Sequence, residues 1–290
     1  MCAQLNYEAD MTTRPTRSAL YIPGSKPRAL DKARSLACDV ILFDLEDAVA
    51  PDAKVSARET LSLALEQGGY GTRLRLVRIN GLDTAWGADD MAAVAGMSCD
   101  GILIPKVDSA GDLDAVAQAV PDLPLWAMME TPLGVLNAHT ICAHPRLSGV
   151  VMGTNDLAKD LTARTRDGMR VALQHCLLAA RAARVVAIDG VFNAFKDDDG
   201  LRAECEDGRD MGFDGKSLIH PAQLDIANSI FGPTDAEIEL ARRQIAAFDE
   251  AVAAGQGVAV VDGRIVENLH IVTARATLAK ADAIAELETA

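Results

Sequence analysis

Two apolar, β-prone runs of this chain end abruptly in carboxylates. They are Met128-Met129-Glu130-Thr131-Pro132-Leu133-Gly134 and, one short helical segment later, Val151-Met152-Gly153-Thr154-Asn155-Asp156. Carboxylates at neighbouring strand ends can converge on one hard cation, and Mg²⁺ takes oxygen ligands while keeping positions open for water or substrate oxygens. Glu130 and Asp156 are therefore candidate metal ligands, with a pair of helix-capping carboxylates as the plainer alternative. Arg78 closes another apolar run, where a buried guanidinium needs an anion. Its fork matches a substrate carboxylate or a developing enolate oxygen; the alternative is a structural ion pair with the acidic cluster Asp44, Glu46 and Asp47. Clustered carboxylates repel unless a cation or basic group lies among them. Glu46 and Asp47 thus read as holders of the metal's waters or as a base, and otherwise as the cap of a helix starting near Pro51. His220 suits an acid or base and equally a backbone cap; His139, His144, His175 and His270 show no ligand spacing.

Eight strand-like runs must position these groups: Ala19 to Ile22, Val40 to Leu45, Leu74 to Ile79, Gly101 to Pro105, Leu125 to Met129, Gly149 to Met152, Val185 to Ile188 and Lys216 to Ile219. Several are continuously apolar, as parallel strands buried on both faces are. Helical segments sit between them. Ser25-Lys26-Pro27 reads as an N-cap with proline in the first turn, followed by Leu30, Ala33 and Ala37 on one face. Pro221 opens another helix, with Leu224, Ala227 and Phe231 on one side. This alternation predicts a TIM (β/α)₈ barrel over residues 1–232 as the catalytic domain, with catalytic groups at the carboxyl ends of the strands. A doubly wound open sheet is the competitor, weakened because no G-x-G-x-x-G follows the first strand. Residues 233–290 read as a helix–hairpin–helix extension. Its long helix runs from Asp235 to Ala254, its hairpin turns at Asp262-Gly263, and its last helix runs from about Leu269 to Ile284. That tail is too small for an independent core and must pack on the barrel or on a neighbouring subunit.

Composition narrows the function class. A net charge of −14 argues against a nucleic-acid binder, which needs a basic face. Six scattered cysteines without a CxxC pair indicate neither a zinc knuckle nor a disulfide frame, but reduced and mostly buried thiols. The amino-terminal residues lack an apolar leader region, and no run is long enough to span a membrane. A cytoplasmic protein with no membrane partner is expected.

Taken in order, Arg17-Ser18-Ala19-Leu20-Tyr21-Ile22-Pro23-Gly24, Phe43-Asp44-Leu45-Glu46-Asp47-Ala48-Val49, Arg78-Ile79-Asn80, Ile104-Pro105-Lys106, Glu130-Thr131-Pro132-Leu133-Gly134 and Gly212-Phe213-Asp214-Gly215-Lys216-Ser217-Leu218-Ile219-His220-Pro221 form a specific set. The chain resembles, over nearly its whole length, the citrate lyase β-subunit and malyl-CoA lyase family within the HpcH/HpaI aldolase group. The resemblance implies a Mg²⁺-dependent enzyme, with Mn²⁺ as a substitute, in which coenzyme A is part of the substrate. Its members make or break the carbon–carbon bond between an acyl-CoA and a 2-oxo acid. Cleavage of (3S)-malyl-CoA to glyoxylate and acetyl-CoA is the leading expectation. Hydrolysis of that thioester to malate, or service as a citrate lyase β-subunit on a carrier-protein thioester, are the alternatives. Glu130 and Asp156 fall on the family's metal ligands and Arg78 on its substrate arginine; Arg17 and Lys26 fall near positions that hold CoA phosphates. The chain departs at Asn155, where relatives carry a glutamate before the ligand aspartate. It departs again at Glu267, where relatives carry a tail aspartate that enters a neighbouring subunit's site, so Glu267 is the candidate acid, base or water activator. A homo-oligomer, trimeric or hexameric, is implied.

Overall fold

A computed structural model describes residues 14–289; the amino-terminal stretch read as lacking a leader lies outside them except for its last residues. Eight parallel strands close into a barrel in chain order: β1 (Ser18–Pro23), β2 (Val40–Asp44), β3 (Leu74–Arg78), β4 (Gly101–Ile104), β5 (Leu125–Met129), β6 (Leu147–Met152), β7 (Val186–Asp189) and β8 (Gly215–Leu218). The fold is a TIM barrel. Its helices are α1 (Pro27–Ala33), α2 (Lys54–Gln67), α3 (Gly87–Val94), α4 (Ala110–Ala119), α5 (Pro132–Leu136), α6 (Ala138–Cys142), α7 (Thr154–Asp160), α8 (Arg170–Ala183), α9 (Asp198–Met211) and α10 (Leu224–Phe231). The strands form where apolar runs can be buried on both faces: Val40–Asp44, Gly101–Ile104, Leu125–Met129 and Val186–Asp189 are buried at every position. Each strand lies within about two residues of its predicted run.

Local capping differs from expectation at α1. Its N-cap is Lys26, without a side-chain cap, and the helix ends at Ala33, which leaves Ala37 exposed. Near the β5–β6 register shift at Leu125/Trp126, fully buried Trp126 occupies the space a side chain at position 149 would need. A Cβ on Gly149 would lie 2.3 Å from its ring. Behind β7 and β8, wholly buried Lys216 bonds the carboxylate of its register partner Asp189 (3.0 Å), the Gly190 carbonyl (2.7 Å) and Glu204 (2.8 Å).

The described chain forms two compact units, residues 16–228 and residues 229–289 with residues 14–15; the division falls within α10. The second unit holds α11 (Asp235–Ala253), the antiparallel pair β9 (Ala259–Val261) and β10 (Arg264–Val266), and α12 (Asn268–Thr289). These are the helix, hairpin and helix expected of the tail. Their core is a small cluster of Ala251, Ala259, Val266 and Ile271, against which Ile245 and Phe248 pack. Among the described residues, no helix is long and apolar enough to cross a membrane.

Candidate active site

At the carboxyl end of the barrel strands lies a cleft of about 310 Å³, lined among others by Tyr21, Asp44, Asp47, Arg78, Glu130 and Asp156. Its floor begins with Asp44 and Arg78, which are register partners on β2 and β3. That adjacency lets the guanidinium grip the carboxylate with two parallel bonds, Nε to Oδ1 at 2.8 Å and Nη2 to Oδ2 at 2.7 Å. Asp44 also accepts the backbone N–H groups of Glu46 (2.9 Å) and Ala48 (3.0 Å), so it caps the turn that carries the acidic cluster. Nη1 of Arg78 sits 2.8 Å from Glu46 Oε2, but that oxygen has no partner in hydrogen-bonding geometry, so the contact is one of charge. Asp47, largely exposed, is 3.7 Å from the same nitrogen. The ion pair to the acidic cluster is therefore real, and Arg78 still lines the cleft.

A second network holds this turn from behind. Lys54, buried at the start of α2, donates to the carbonyls of Leu45 (3.0 Å) and Glu46 (2.7 Å) and to Asn80 Oδ1 (2.7 Å). Asn80 in turn donates to Leu45 O (2.8 Å) and to Asp90 (2.6 Å), which Arg58 holds at 2.9 Å.

Glu130 follows β5 and is buried. It is not a helix cap: Thr131 caps α5 by accepting from the Gly134 N–H at 2.9 Å. The Glu130 carboxylate instead accepts the backbone N–H of Lys106 at 2.8 Å, and Lys106 adopts a left-handed conformation, φ 50°, at that point. The other side of the carboxylate abuts Gly153, where a Cβ would lie 2.3 Å from Oε2. Asp156 stands in the first turn of the seven-residue α7. Burial pushes Glu130 up to about 7, against the pull of the Lys106 N–H and Arg78, with Asp156 adding to the rise. Burial likewise pushes Glu46 up to about 7, with Arg78 opposing and Asp47, Glu130 and Asp44 reinforcing. The Lys106 ammonium is lowered by burial but raised overall by Glu46, Asp156, Glu130 and Asp47. A buried carboxylate that accepts a neutral N–H from Lys106 and shares its cleft with a second carboxylate leaves room for a further positive charge. The donor set is all oxygen and fits a small hard cation. Among the described residues no group of three or more acidic, histidine or cysteine side chains could hold a metal, so any such ion would keep several positions for other ligands.

Residues 17–221, spanning all eight barrel strands, match the HpcH/HpaI aldolase/citrate lyase family. The chain belongs to this family. It is 69% identical over 275 residues to a (3S)-malyl-CoA thioesterase of Cereibacter sphaeroides, covering 93% of this chain and 96% of that one. It is 33% identical over 285 residues to the citrate lyase subunit beta of Escherichia coli, covering 93% and 94%. Among solved structures it resembles CitE from Mycobacterium tuberculosis in complex with magnesium, acetoacetate and coenzyme A, with a TM-score of 0.76 and 30% identity over 91% of this chain and 97% of that one. The chain is an enzyme of the HpcH/HpaI family.

This family member brings Asp47, Arg78, Glu130 and Asp156 to one cleft, with Glu46 behind Arg78. Lys26 stands exposed just past the carboxyl end of β1. Arg17 requires a correction. It precedes β1, at the opposite end of the barrel from the cleft, and is buried with its guanidinium on Asp39 at 2.9 Å. A residue before a strand belongs to the barrel's amino face, so motif membership misplaced it. Glu267 lies in the second unit between β10 and α12, its backbone N–H on His270 Nδ1 at 3.0 Å. His220 caps a 3₁₀ turn through Nδ1 and stacks on Phe195, its alternative reading. Tyr21, Lys54 and Asp90 were missed: a strand tyrosine reads as core, and a lone lysine opening an amphipathic helix reads as solvated.

Proposed function

We propose that this chain hydrolyses the thioester of (3S)-malyl-CoA to malate and CoA, using Mg²⁺ held by Glu130 and Asp156. The observation that carries the reading is the convergence of those carboxylates and Arg78 on one cleft. The 69% identity to a thioesterase over nearly both chains supports the choice of substrate and outcome. Bound there, Mg²⁺ supplies Lewis-acid polarisation of the oxygens it meets.

The chain's own groups divide the remaining work. Arg78, its fork half taken by Asp44, turns its remaining N–H groups to an acyl oxygen that gains charge as water attacks the carbonyl carbon. Asp47 lines the cleft and accepts the proton of the attacking water. The new C–O bond forms, the C–S bond breaks, and the proton passes to the leaving thiolate. Glu46, near neutrality in its proton affinity, buffers the charge on Arg78 as the oxyanion comes and goes. Lys26 meets a CoA phosphate at the rim. Glu267 enters the cleft of a neighbouring copy in a trimer or hexamer as a second proton acceptor. We place the enzyme in the cytoplasm, consistent with cysteines that are scattered and mostly buried.

Carbon–carbon cleavage to glyoxylate and acetyl-CoA is the second reading, favoured by the 33% identity to a citrate lyase subunit. Incubation with (3S)-malyl-CoA and Mg²⁺, followed by chromatography of the products, separates the two. Malate and free CoA in equal amounts are expected. Glyoxylate with acetyl-CoA would replace the hydrolase by the lyase, and turnover unaffected by a chelator would remove the metal from either.

A further inference from the structure

The side chain of Tyr21, on β1, lines the cleft together with Arg78, Glu130 and Asp156. Its ring lies beneath the Arg78 guanidinium, whose carbon is 4.8 Å from the ring centroid. Its hydroxyl reaches across the barrel mouth to β5, where it donates to Met128 Sδ at 3.4 Å. A thioether is a weak acceptor, whereas an enclosed phenol ordinarily finds an oxygen or nitrogen partner. The strongest bond this hydroxyl can make is therefore left for something in the cleft. Burial raises the Tyr21 pKa far above its ordinary range, with Arg78 opposing and Asp44, Glu130 and Glu46 reinforcing. A phenol, whose ordinary pKa is about 10, is in any case a proton donor near neutral pH. The cation–π contact with Arg78 holds the ring in place without using the hydroxyl.

We propose that the Tyr21 hydroxyl is a substrate-binding group of this cleft, donating a hydrogen bond to an oxygen of the acyl moiety beside Arg78. The assignment rests on the proposed function only for the identity of that acyl group. It gives Arg78 a neutral partner donor on the same ligand, so charge and direction of recognition come from different residues.

Tyr21→Phe removes the hydroxyl and keeps the ring under Arg78, so the fold and the ion pairs are left in place. Two measurements are made on it. Steady-state turnover of (3S)-malyl-CoA is expected to fall roughly 10- to 100-fold in kcat/KM, the range for losing one hydrogen bond to a polar or charged ligand group. Calorimetric titration with oxaloacetate in the presence of Mg²⁺, which needs no turnover, is expected to show binding weakened by about tenfold or more. A loss in either measurement with an unchanged Tm supports the assignment; a variant within about twofold of the parent in both overturns it. If the parent itself leaves (3S)-malyl-CoA untouched, the proposed function fails, and the titration alone still decides the role of Tyr21.

Discussion

The guanidinium of Arg78 meets three carboxylates yet faces the cleft, so in the proposed reading its geometry, beyond its charge, carries the recognition. Lysine keeps the charge and loses the fork. Arg78→Lys should lower kcat/KM roughly 100-fold or more, as removal of an oxyanion donor does, while leaving the products unchanged; a tenfold effect or less in steady-state assays would reduce Arg78 to a charge on the wall. Glu130 carries a different consequence. A glutamate in the unfolded chain titrates near its ordinary value, about 4.3, whereas burial moves the folded group to about 7. Between those values the folded chain holds a proton that the unfolded chain has released. The resulting stability is fully present below the unfolded value and is lost as pH rises through about 7. In chelator, urea unfolding should show a loss of roughly 3 kcal/mol or more from pH 5 to pH 8, because Glu46, raised likewise, titrates in the same window. Mg²⁺, which favours the ionised carboxylate, should restore stability at the higher pH far more than at the lower. Equal midpoints at both pH values with and without Mg²⁺ would contradict the metal assignment.

Turns rather than strands set the site at the next scale. The β6–α7 turn passes so close to Glu130 that Gly153 leaves no room for a side chain: a Cβ would lie 2.4 Å from Glu130 Cβ as well as 2.3 Å from Oε2. Gly153→Ala should displace the carboxylate and weaken Mg²⁺ binding, measured by calorimetry, by about tenfold or more, with the barrel's circular dichroism retained. The β2 turn depends on Lys54, whose three donors all hold that turn or its Asn80 strut. Lys54→Met leaves Asn80 Oδ1 without its donor and takes one of two donors from each of the Leu45 and Glu46 carbonyls, which keep Asn80 and the Val49 N–H. It should cost roughly 1–3 kcal/mol of stability, with kcat falling more than KM rises because Arg78 loses its frame; Lys54→Arg should recover part of both. These turns were only partly legible in the sequence. Glu130, Asp156 and Arg78 could be read because each ends an apolar run, and polarity at a buried strand end is itself a signal. Lys54 and Tyr21 gave no such signal, since their chemistry comes from what the closed barrel sets opposite them.

For the molecule as a whole, the barrel was readable because buried parallel strands are apolar on both faces, a pattern that survives without any knowledge of tertiary contacts. Arg17 was misread on the resemblance alone: it precedes β1, and the rule that catalytic groups lie at the strands' carboxyl ends already puts it on the barrel's amino face. The tail's helices and hairpin were legible from caps and the Asp262-Gly263 turn, but its small core of alanine, valine and isoleucine says nothing in sequence of what its exposed Val260, Ile265 and Leu269 meet. The acyl-CoA of the proposed function would bring several negative charges toward a cleft lined by Asp47, Glu130 and Asp156, on a chain of net charge −14. On that reading, capture would run uphill against the long-range field until a divalent ion is seated. Moderate monovalent salt, by shortening the reach of that field to about 10 Å at 0.1 M, should hasten the encounter, the reverse of electrostatic steering. Stopped-flow association rates should rise with ionic strength at saturating Mg²⁺, and an enzyme that binds its polyanionic partner faster in dilute buffer would show that local lysines override the acidic mouth.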